Sequence, residues 1–318
     1  MVRASRALLG MLVITPCVLL AMRGPDGAAA DDGRTSKAPA PIRVALTIDD
    51  LPANALPGYD GARIMAQLVA ALRAHDVRSA TGFVIGERLE TPEARAALEI
   101  WTRAGYELGN HSYSHVHLGD VGVDAYLADV ARLDPLLRAL EQETAQRRRY
   151  FRYPFLEEGR SASERAQLTR GIATLGYELA RVSIDFRDWS WADAYARCLA
   201  RGDDQTRTLL SRGYVRSASA SLAWSVELAE QLLRRPLVHV LLLHANVATA
   251  MNLDALLDAY ERAGVQFVPL AEALADPTYT AEHEADISHV LTLESLRQGR
   301  VGASPPAPPL ELLEMACR

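Results

Sequence analysis

Residues 42–50 read IRVALTIDD, a run of aliphatic and β-branched residues that ends in two aspartates. An uninterrupted apolar run of this kind is typical of a strand that is buried on both faces, as strands are in parallel sheets. The most hydrophobic of the other predicted strands, LVHVLLL at residues 237–243, has the same character and is followed by His244. We predict that both runs are buried strands whose C-terminal ends carry polar side chains into a loop.

Strands and helices are predicted to alternate along the chain on either side of these two runs. Further strands are expected at residues 80–85, 106–109, 150–152, 177–182 and 266–268. Helices are expected at residues 62–75, 92–104, 123–142, 163–175, 192–199, 203–211, 223–233 and 253–262. Such alternation is typical of an α/β fold with a parallel sheet, and this many units in one chain favour a closed barrel.

The composition supports a well-buried core in one or two domains, since 49% of the 318 residues are hydrophobic and 23% are charged. We predict a flexible leader at residues 31–41, one catalytic domain at 42–275 and a C-terminal appendage at 276–318 that is partly rich in proline. The net charge of −6 offers no basic surface, and the densest basic run, RRR at 147–149, is only three residues long. No nucleic-acid partner is therefore expected.

The first thirty residues have the pattern of a secretory signal peptide. Two arginines precede an apolar stretch at residues 7–22, and three alanines at 28–30 provide small residues for cleavage. The apolar stretch is shorter than the ~20 residues of a membrane span, which makes an uncleaved anchor the weaker alternative. We expect an exported protein, periplasmic or secreted, with no stable membrane insertion after cleavage. In that compartment Cys198 and Cys317 can pair or remain thiols.

Polar residues follow five of the predicted strands, at the end where the loops of a parallel barrel converge. The five clusters are Asp49 with Asp50, residues 110–115 (NHSYSH), residues 152–154 (RYP), residues 185–189 (DFRDW) and residues 244–246 (HAN). Each cluster alone is ordinary. Together they predict one rim that carries acids, histidines and an arginine.

Two of these clusters have the residue types of a metal site. His111 and His115 are spaced i, i+4, so that a helical turn would place both imidazoles on one face. The alternatives are a solvated loop for the histidines and a helix N-cap for Asp49 and Asp50. Because adjacent carboxylates repel each other unless a cation lies nearby, the aspartates favour the metal interpretation. One carboxylate with two imidazoles leaves an open position, as in a catalytic zinc site.

These motifs, taken in order, resemble those of the polysaccharide deacetylase family (the NodB-homology domain, carbohydrate esterase family four). The resemblance covers five motifs from Thr47 to His244, inside the domain predicted at residues 42–275. It implies an α/β fold that is a distorted (β/α) barrel with fewer than eight strands. It also implies a hydrolase that depends on one divalent metal.

The resemblance implies a role for each residue of the first three motifs. Asp49 matches the catalytic base, and Arg152 matches the arginine that pairs with this base. Phe155 matches the residue whose backbone N–H stabilises the oxyanion. The metal ligands would be Asp50, His111 and His115, with zinc as the expected metal and cobalt, nickel or iron as alternatives.

The last two motifs supply the remaining roles. His244 matches the general acid, and Asp188 matches the acid that orients it. Trp189 and Leu242 match the residues that line the acetyl pocket. Tryptophan in a barrel loop is also common as simple packing, and that alternative stays open here.

The expected activity is removal of acetyl groups from N-acetylated sugars of a glycan or oligosaccharide. O-deacetylation of a polysaccharide and a non-catalytic glycan- or metal-binding module are the alternatives. Leu51 and Leu156 stand where the family usually has glycine, which changes the groove beside the metal and leaves the glycan unidentified.

Overall fold

The run at residues 42–50 forms a strand of a parallel sheet in the computed structural model, and this strand pairs with three others. The structure describes residues 41–141, 146–283, 285–300 and 305–318. The predicted signal peptide, the leader up to residue 40, and residues 284 and 301–304 of the predicted appendage lie outside these residues. The predicted domain boundaries stay predictions.

The strands and helices alternate as predicted. The strands are β1 (Ile42–Leu51), β2 (Ala80–Val84), β3 (Glu107–Asn110), β4 (Tyr150–Phe151), β5 (Glu178–Leu179), β6 (His239–His244) and β7 (Val265–Phe267). The helices are α1 (Gly61–Ala74), α2 (Pro92–Arg103), α3 (Leu118–Val121), α4 (Val123–Glu141), α5 (Ala162–Thr174), α6 (Ala192–Arg201), α7 (Asp204–Leu233), α8 (Val247–Arg262), α9 (Leu270–Leu274), α10 (Val290–Arg297) and α11 (Leu310–Met315). Short 3-10 turns lie at Glu87–Leu89, Pro154–Leu156, Asp188–Trp191 and Pro277–Tyr279.

All strand pairs in the described sheet are parallel, in the order β5-β4-β3-β2-β1-β6, and β7 pairs with the first residues of β1. Beyond β5 the chain continues to Ile184, which forms a parallel bridge with Leu241 of β6. The sheet therefore curls until its two ends meet. This confirms the predicted distorted (β/α) barrel with fewer than eight strands.

The apolar residues of β1 separate by strand alternation into two packing layers. Val44, Leu46 and Ile48 belong to the larger cluster, which the helices cover. Ala45 belongs to a second cluster with Val240 and Leu242 of β6. On the face that Ala45 shares, β1 also carries Thr47 and Asp49, which places the first polar side chains of the site inside the barrel.

The prediction of two separate helices at residues 203–211 and 223–233 was wrong, because α7 runs unbroken over 30 residues. The intervening sequence RGYVRSASASL contains a glycine and three serines, which lower helix propensity. Tertiary packing overrides that preference, since Tyr214, Ala218 and Leu222 are buried. Gly213 permits close packing, because a Cβ at this position would lie 2.8 Å from the Trp191 ring.

The last forty residues pack onto the barrel where they are described. Tyr279, Val290 and Leu291 are buried in the same cluster as Ala45. Cys317 forms a disulfide with Cys198 of α6, which answers the question that the sequence left open. None of the described helices is both long and apolar enough to cross a lipid bilayer.

Candidate active site

The register of the parallel strands brings the five polar clusters to one rim of the barrel. His244 at the end of β6 lies beside Asp49 of β1 in register. The His111 N–H donates to the last carbonyl of β2, and the Arg152 N–H donates to the last carbonyl of β3. Asp49 and His244 thus lie at the ends of paired strands, and His111 and Arg152 directly follow such strands. Pairing within the sheet fixes the backbone of all four residues.

Asp50, His111 and His115 form a cluster of three metal-ligand types. The Nε2 atoms of both histidines lie 3.6 Å from Asp50 Oδ1, and one ligand atom from each residue lies within 4.8 Å of the others. Asp50 Oδ1 is buried and accepts no hydrogen bond among the described residues. A buried carboxylate oxygen without a partner, aimed between two imidazoles, fits a divalent cation. Zinc suits the two-imidazole, one-carboxylate donor set.

The protonation states in this cluster suit metal binding. Burial lowers the pKa of His111, and burial with the neighbouring His111 lowers the pKa of His115 to about 4. Both imidazoles are therefore neutral at pH 7. Burial alone would raise the pKa of Asp50, but nearby His244 and Arg88 lower it to about 2. His111 Nδ1 lies 2.9 Å from the Arg152 carbonyl, so that its Nδ1–H donates there and Nε2 is left free to bind a metal.

No helical turn runs from His111 to His115, since residues 111–117 form a loop. Ser112 and His115 have φ values of 63° and 51°, which break any helical turn. The carboxylate of Asp129 holds the loop by accepting from the N–H groups of Tyr113 and Ser114 and from the Ser114 hydroxyl. The two imidazoles converge because of this loop rather than through helical spacing.

Backbone strain is concentrated around the rim. Among the described non-glycine residues, nine have positive φ, and six of them lie in the rim loops. These six are Asp50, Ser112, His115, Phe155, Leu156 and Arg187. Because a left-handed conformation costs an L-residue roughly 1–2 kcal/mol, surrounding contacts must hold each one.

Asp49 forms a buried ion pair inside the barrel. Its Oδ1 accepts a hydrogen bond of 2.8 Å from Arg152 Nη1, and its Oδ2 lies 3.6 Å from His111 Nε2. Arg152 is fully buried, and it also donates to Thr47 Oγ1 at 2.7 Å and to the Ala180 carbonyl at 2.9 Å. The guanidinium is fixed on three sides, so that it orients the Asp49 carboxylate.

His244 and Asp188 form a second buried pair on the same rim. His244 Nδ1 lies 2.7 Å from Asp188 Oδ1, and the His244 N–H donates to Asp188 Oδ2. Thr249 also donates to Asp188 Oδ2, at 2.8 Å. Burial alone would lower the pKa of His244, but the charge and hydrogen bond of Asp188 outweigh it and raise that pKa to about 10. His244 is thus protonated at neutral pH with Nε2 facing away from Asp188.

Three further predicted residues lie beside these pairs. Phe155 is 49% exposed, and its ring packs on His115 and stacks on His117 at 3.6 Å between ring centroids. Trp189 is 54% exposed in the 3-10 turn that carries Asp188. Leu242 is buried in β6, directly opposite Thr47. Phe155 thus contacts a candidate metal ligand, Leu242 lies beside the strand that carries Asp49, and Trp189 follows Asp188 in the chain. Their roles stay predictions.

Arg88 contacts the site, although no motif in the sequence singled it out. Its guanidinium donates to the Asp50 carbonyl at 2.5 Å and to Asp50 Oδ2 at 3.2 Å. Its position shortly after β2 is the one signal that could have identified it, because the five predicted polar clusters follow the ends of other strands. With His115, Arg88 also lines a groove of about 910 Å³ that extends along the loop at residues 52–62.

The sequence was compared with protein-family models and with curated proteins. Residues 36–176 match the model of the polysaccharide deacetylase family. No curated protein matches the sequence significantly. Asp188 and His244 lie beyond the matched region.

Solved structures of low identity are similar to the chain in part. A family 4 carbohydrate esterase from Streptomyces lividans in complex with acetate is 21% identical, with a TM-score of 0.45 over 70% of this chain and 90% of that one. A peptidoglycan deacetylase from Bacillus subtilis is 20% identical, with a TM-score of 0.45 over 73% and 90%. A pseudoenzyme of the same esterase family from Bacillus anthracis is 20% identical, with a TM-score of 0.46 over 79% and 69%. These likenesses are too remote to carry a functional conclusion. The match over residues 36–176, which is less than half of the chain, confirms in that region the resemblance to the polysaccharide deacetylase family that the motifs from Asp49 to Phe155 indicated.

Proposed function

We propose that this protein is a metal-dependent hydrolase that removes acetyl groups from N-acetylated sugars of a glycan or oligosaccharide outside the cytoplasm. The observation that carries the proposal is the coincidence, on one rim, of a metal-type cluster with two separately buried pairs. The pairs are Asp49 with Arg152 and His244 with Asp188. Amide hydrolysis needs a proton acceptor and a proton donor, and this rim offers one of each.

Asp49 is the proposed proton acceptor. A divalent cation, when bound by Asp50, His111 and His115, lowers the pKa of water to ~7 and so makes hydroxide accessible at neutral pH. Arg152 occupies Asp49 Oδ1, which leaves Oδ2 on the side of His111 to accept the proton of the attacking water. The division of work between the two neighbouring aspartates follows from these different partners.

His244 is the proposed proton donor to the leaving nitrogen. Asp188 fixes Nδ1, so that Nε2 is the atom that delivers the proton. The raised pKa keeps this proton in place at neutral pH. An amine is a poor leaving group without protonation, so a donor of this kind favours N-acetyl over O-acetyl substrates.

The remaining rim residues have proposed binding roles. The Phe155 N–H would donate to the oxyanion, and Leu242 and Trp189 would line the acetyl pocket. Losing one such oxyanion donor typically raises the activation barrier of acyl transfer by about 3 kcal/mol, which lowers the rate roughly 10²–10³-fold. The groove beside His115 would receive the rest of the glycan.

Export is the remaining part of the proposal. The disulfide between Cys198 and Cys317 supports an oxidising compartment, because such bonds persist mainly outside the cytoplasm. The signal-peptide pattern at residues 1–30 supports the same location.

An acetate-release assay tests the proposed activity. Purified protein is incubated with N-acetylated oligosaccharides, such as chitin oligomers and peptidoglycan fragments, and with O-acetylated xylan. The assay is repeated after chelation and after adding back zinc, cobalt, nickel or iron. We expect release from an N-acetylated sugar that stops on chelation and returns with metal. Release from the ester alone would favour the esterase, and bound metal with no release from any substrate would favour a non-catalytic module.

A further inference from the structure

The turn that carries the proposed oxyanion donor is strained. Phe155 and Leu156 are consecutive and have φ values of 57° and 59°. Glycine adopts this left-handed conformation freely, whereas a leucine or phenylalanine adopts it only when neighbouring groups hold it there. Two such residues in succession therefore require support from outside the turn.

That support comes from residues far along the chain, beyond the matched family region. The Ser288 N–H donates to the Leu156 carbonyl at 2.9 Å. The Gly159 N–H donates to Asp286 Oδ1 at 2.6 Å. The strained turn is thus held at its own carbonyl and at the residue three positions later.

Glu158 connects the same turn to the C-terminal segment from the inside. Its buried carboxylate receives two hydrogen bonds of 2.7 Å from Arg181, one contact of 2.7 Å from His283, and the hydroxyl of Ser288. Arg181 in turn donates to the carbonyls of Tyr279 and Ala281 at 2.9 Å. All of these groups belong either to the barrel wall or to residues 279–288.

The C-terminal segment is itself anchored to the barrel. The Val182 N–H donates to the Ser288 carbonyl, and the Val290 N–H donates to the Val182 carbonyl, each at 2.9 Å. His289 forms the corresponding parallel bridge with Val182. Residues 288–290 thus extend the barrel wall by one short parallel pairing, which makes them a rigid support.

We propose that residues 279–290 position the Phe155–Leu156 turn for catalysis, with Asp286 and Glu158 as the positioning residues. The proposal rests on the proposed function, since it assigns a purpose to the orientation of the Phe155 N–H. It makes the C-terminal segment a part of the active site rather than an appendage to it.

A double-mutant cycle on the full protein tests this. Asp286→Ala removes an exposed side chain that holds Gly159, and Leu156→Gly relieves the strain that needs holding. In the otherwise native protein, Asp286→Ala should lower kcat for an N-acetylated oligosaccharide about ten-fold, part of the ~10²–10³ lost when a whole oxyanion donor is removed. KM and metal content should change less than about two-fold. In the Leu156→Gly background the same substitution should lower kcat by a clearly smaller factor, less than about five-fold, because glycine needs no support and only Phe155 remains strained.

The matched control is Asp276→Ala. Asp276 pairs with Arg235 and caps the 3-10 turn Pro277–Tyr279 at the start of the same segment, so its loss disturbs the segment without removing the contact to Gly159. It should leave kcat within about two-fold in both backgrounds. Glu158→Gln, which keeps the shape of the side chain, should lower kcat at least as much as Asp286→Ala. Equal losses from Asp286→Ala in the two backgrounds, or equal losses from Asp276→Ala and Asp286→Ala, would overturn the proposal.

Hydrogen exchange separates this proposal from the proposed function. Without turnover in the wild-type protein, the proposed function fails, but the turn is still measurable through the amides of residues 155–159. Asp286→Ala should speed their exchange by at least about ten-fold, whereas Asp276→Ala should not. Unchanged exchange in Asp286→Ala contradicts the support of the turn, whatever the activity of the wild type.

Discussion

Asp49 and Asp50 are neighbours in the chain, but their carboxylates have different partners. Strand alternation turns Asp49 into the barrel, where Arg152 binds it, and Asp50 faces the two histidines. Arg88 holds both the carbonyl and Oδ2 of Asp50, which leaves Oδ1 free. At the residue scale, this separation allows one carboxylate to take a proton and the other to hold a metal.

The protonation of His244 predicts how activity depends on pH. His244 acts in its protonated form, so kcat should fall as pH rises through its pKa. Burial opposes this protonated form, and Asp188 is the main group that favours it. Asp188→Asn should therefore move the alkaline limb of the kcat profile to lower pH by ~1–3 units, the usual effect of one adjacent charge.

The pH profile is measured with an N-acetylated oligosaccharide and, as a control, with an activated acetyl ester whose leaving group needs no proton. The ester profile should be the same in wild type and Asp188→Asn, because its leaving group needs no proton from His244. An unmoved limb in Asp188→Asn with the N-acetylated substrate would show that His244 is not the acid.

Much of the site could be predicted from sequence because its residues directly follow strands. The apolar runs located the strand ends, and the polar residues after them, such as Asp49 and His244, had to meet at one rim. The contact from Arg88 could not be predicted, since it depends on where a long side chain reaches across a loop. Whether a helical turn joins His111 to His115 could not be predicted, because a spacing of four residues does not distinguish a helix from a loop held by Asp129.

At the scale of elements, the disulfide ties α11 to α6 across a sequence separation of 119 residues. A bond that closes so long a loop restricts the unfolded chain, and native disulfides typically contribute about 2–4 kcal/mol. Arg197 of α6 also holds α11, by donating to the carbonyls of Leu313 and Ala316. Helix α11 should therefore stay in place when the disulfide is absent.

The double variant Cys198→Ala with Cys317→Ser should lower the free energy of unfolding by about 2–4 kcal/mol. Acetate release at 25 °C should stay within about two-fold of wild type, because neither cysteine contacts the rim. Urea denaturation and the acetate assay measure the two quantities. A variant of unchanged stability, or one that is folded but inactive, would contradict this account of the disulfide.

Two predicted elements differ from the observed ones because the prediction used local sequence preferences alone. The predicted strand at residues 177–182 was too long as a partner of β4, because the chain leaves β4 after Leu179 and reaches β6 at Ile184. Helix α7 was predicted as two helices because Gly213 and the serines after it weaken the helical pattern. In both cases the decisive contact is made with an element distant in sequence.

At the scale of the whole molecule, two neutral histidines are buried where the C-terminal segment meets the barrel. Burial lowers the pKa of His289 to about 4, and burial with the nearby His289 lowers that of His239 to about 4. Both values lie below the ordinary 6.5 of the unfolded chain. The unfolded chain therefore binds protons at these positions between pH 6.5 and 4, whereas the folded protein does not.

Stability should consequently fall as pH drops from 6.5 to 4, by on the order of a few kcal/mol for the two groups together. His289→Asn should reduce this dependence, since asparagine can still cap α10 but does not titrate. Urea denaturation at pH 7, 5.5 and 4.5 measures the slope for both proteins. Identical slopes would show that His289 is not one of the groups responsible.

The overall architecture was more predictable than the contacts that the C-terminal segment makes with the barrel. Alternating strands and helices identified a parallel sheet that is covered on both faces, and the number of such units favoured a barrel over an open sheet. The support that residues 279–290 give to the Phe155 turn was not predictable, because the sequence near Asp286 and Ser288 has neither periodicity nor a motif. Contacts of this kind depend on the folded path of the chain.

The central claim, that Asp49 moves a proton whereas Asp50, His111 and His115 hold a metal, is tested most directly by measuring bound metal and turnover on the same samples. Asp49→Asn and His111→Ala are compared with wild-type protein by metal analysis and by acetate release from an N-acetylated oligosaccharide. We predict that Asp49→Asn keeps about one metal per chain and loses at least ~10²-fold in turnover, since it removes a proton acceptor. His111→Ala should lose both metal and turnover. Loss of metal in Asp49→Asn, or full metal content in His111→Ala, would contradict the assignment.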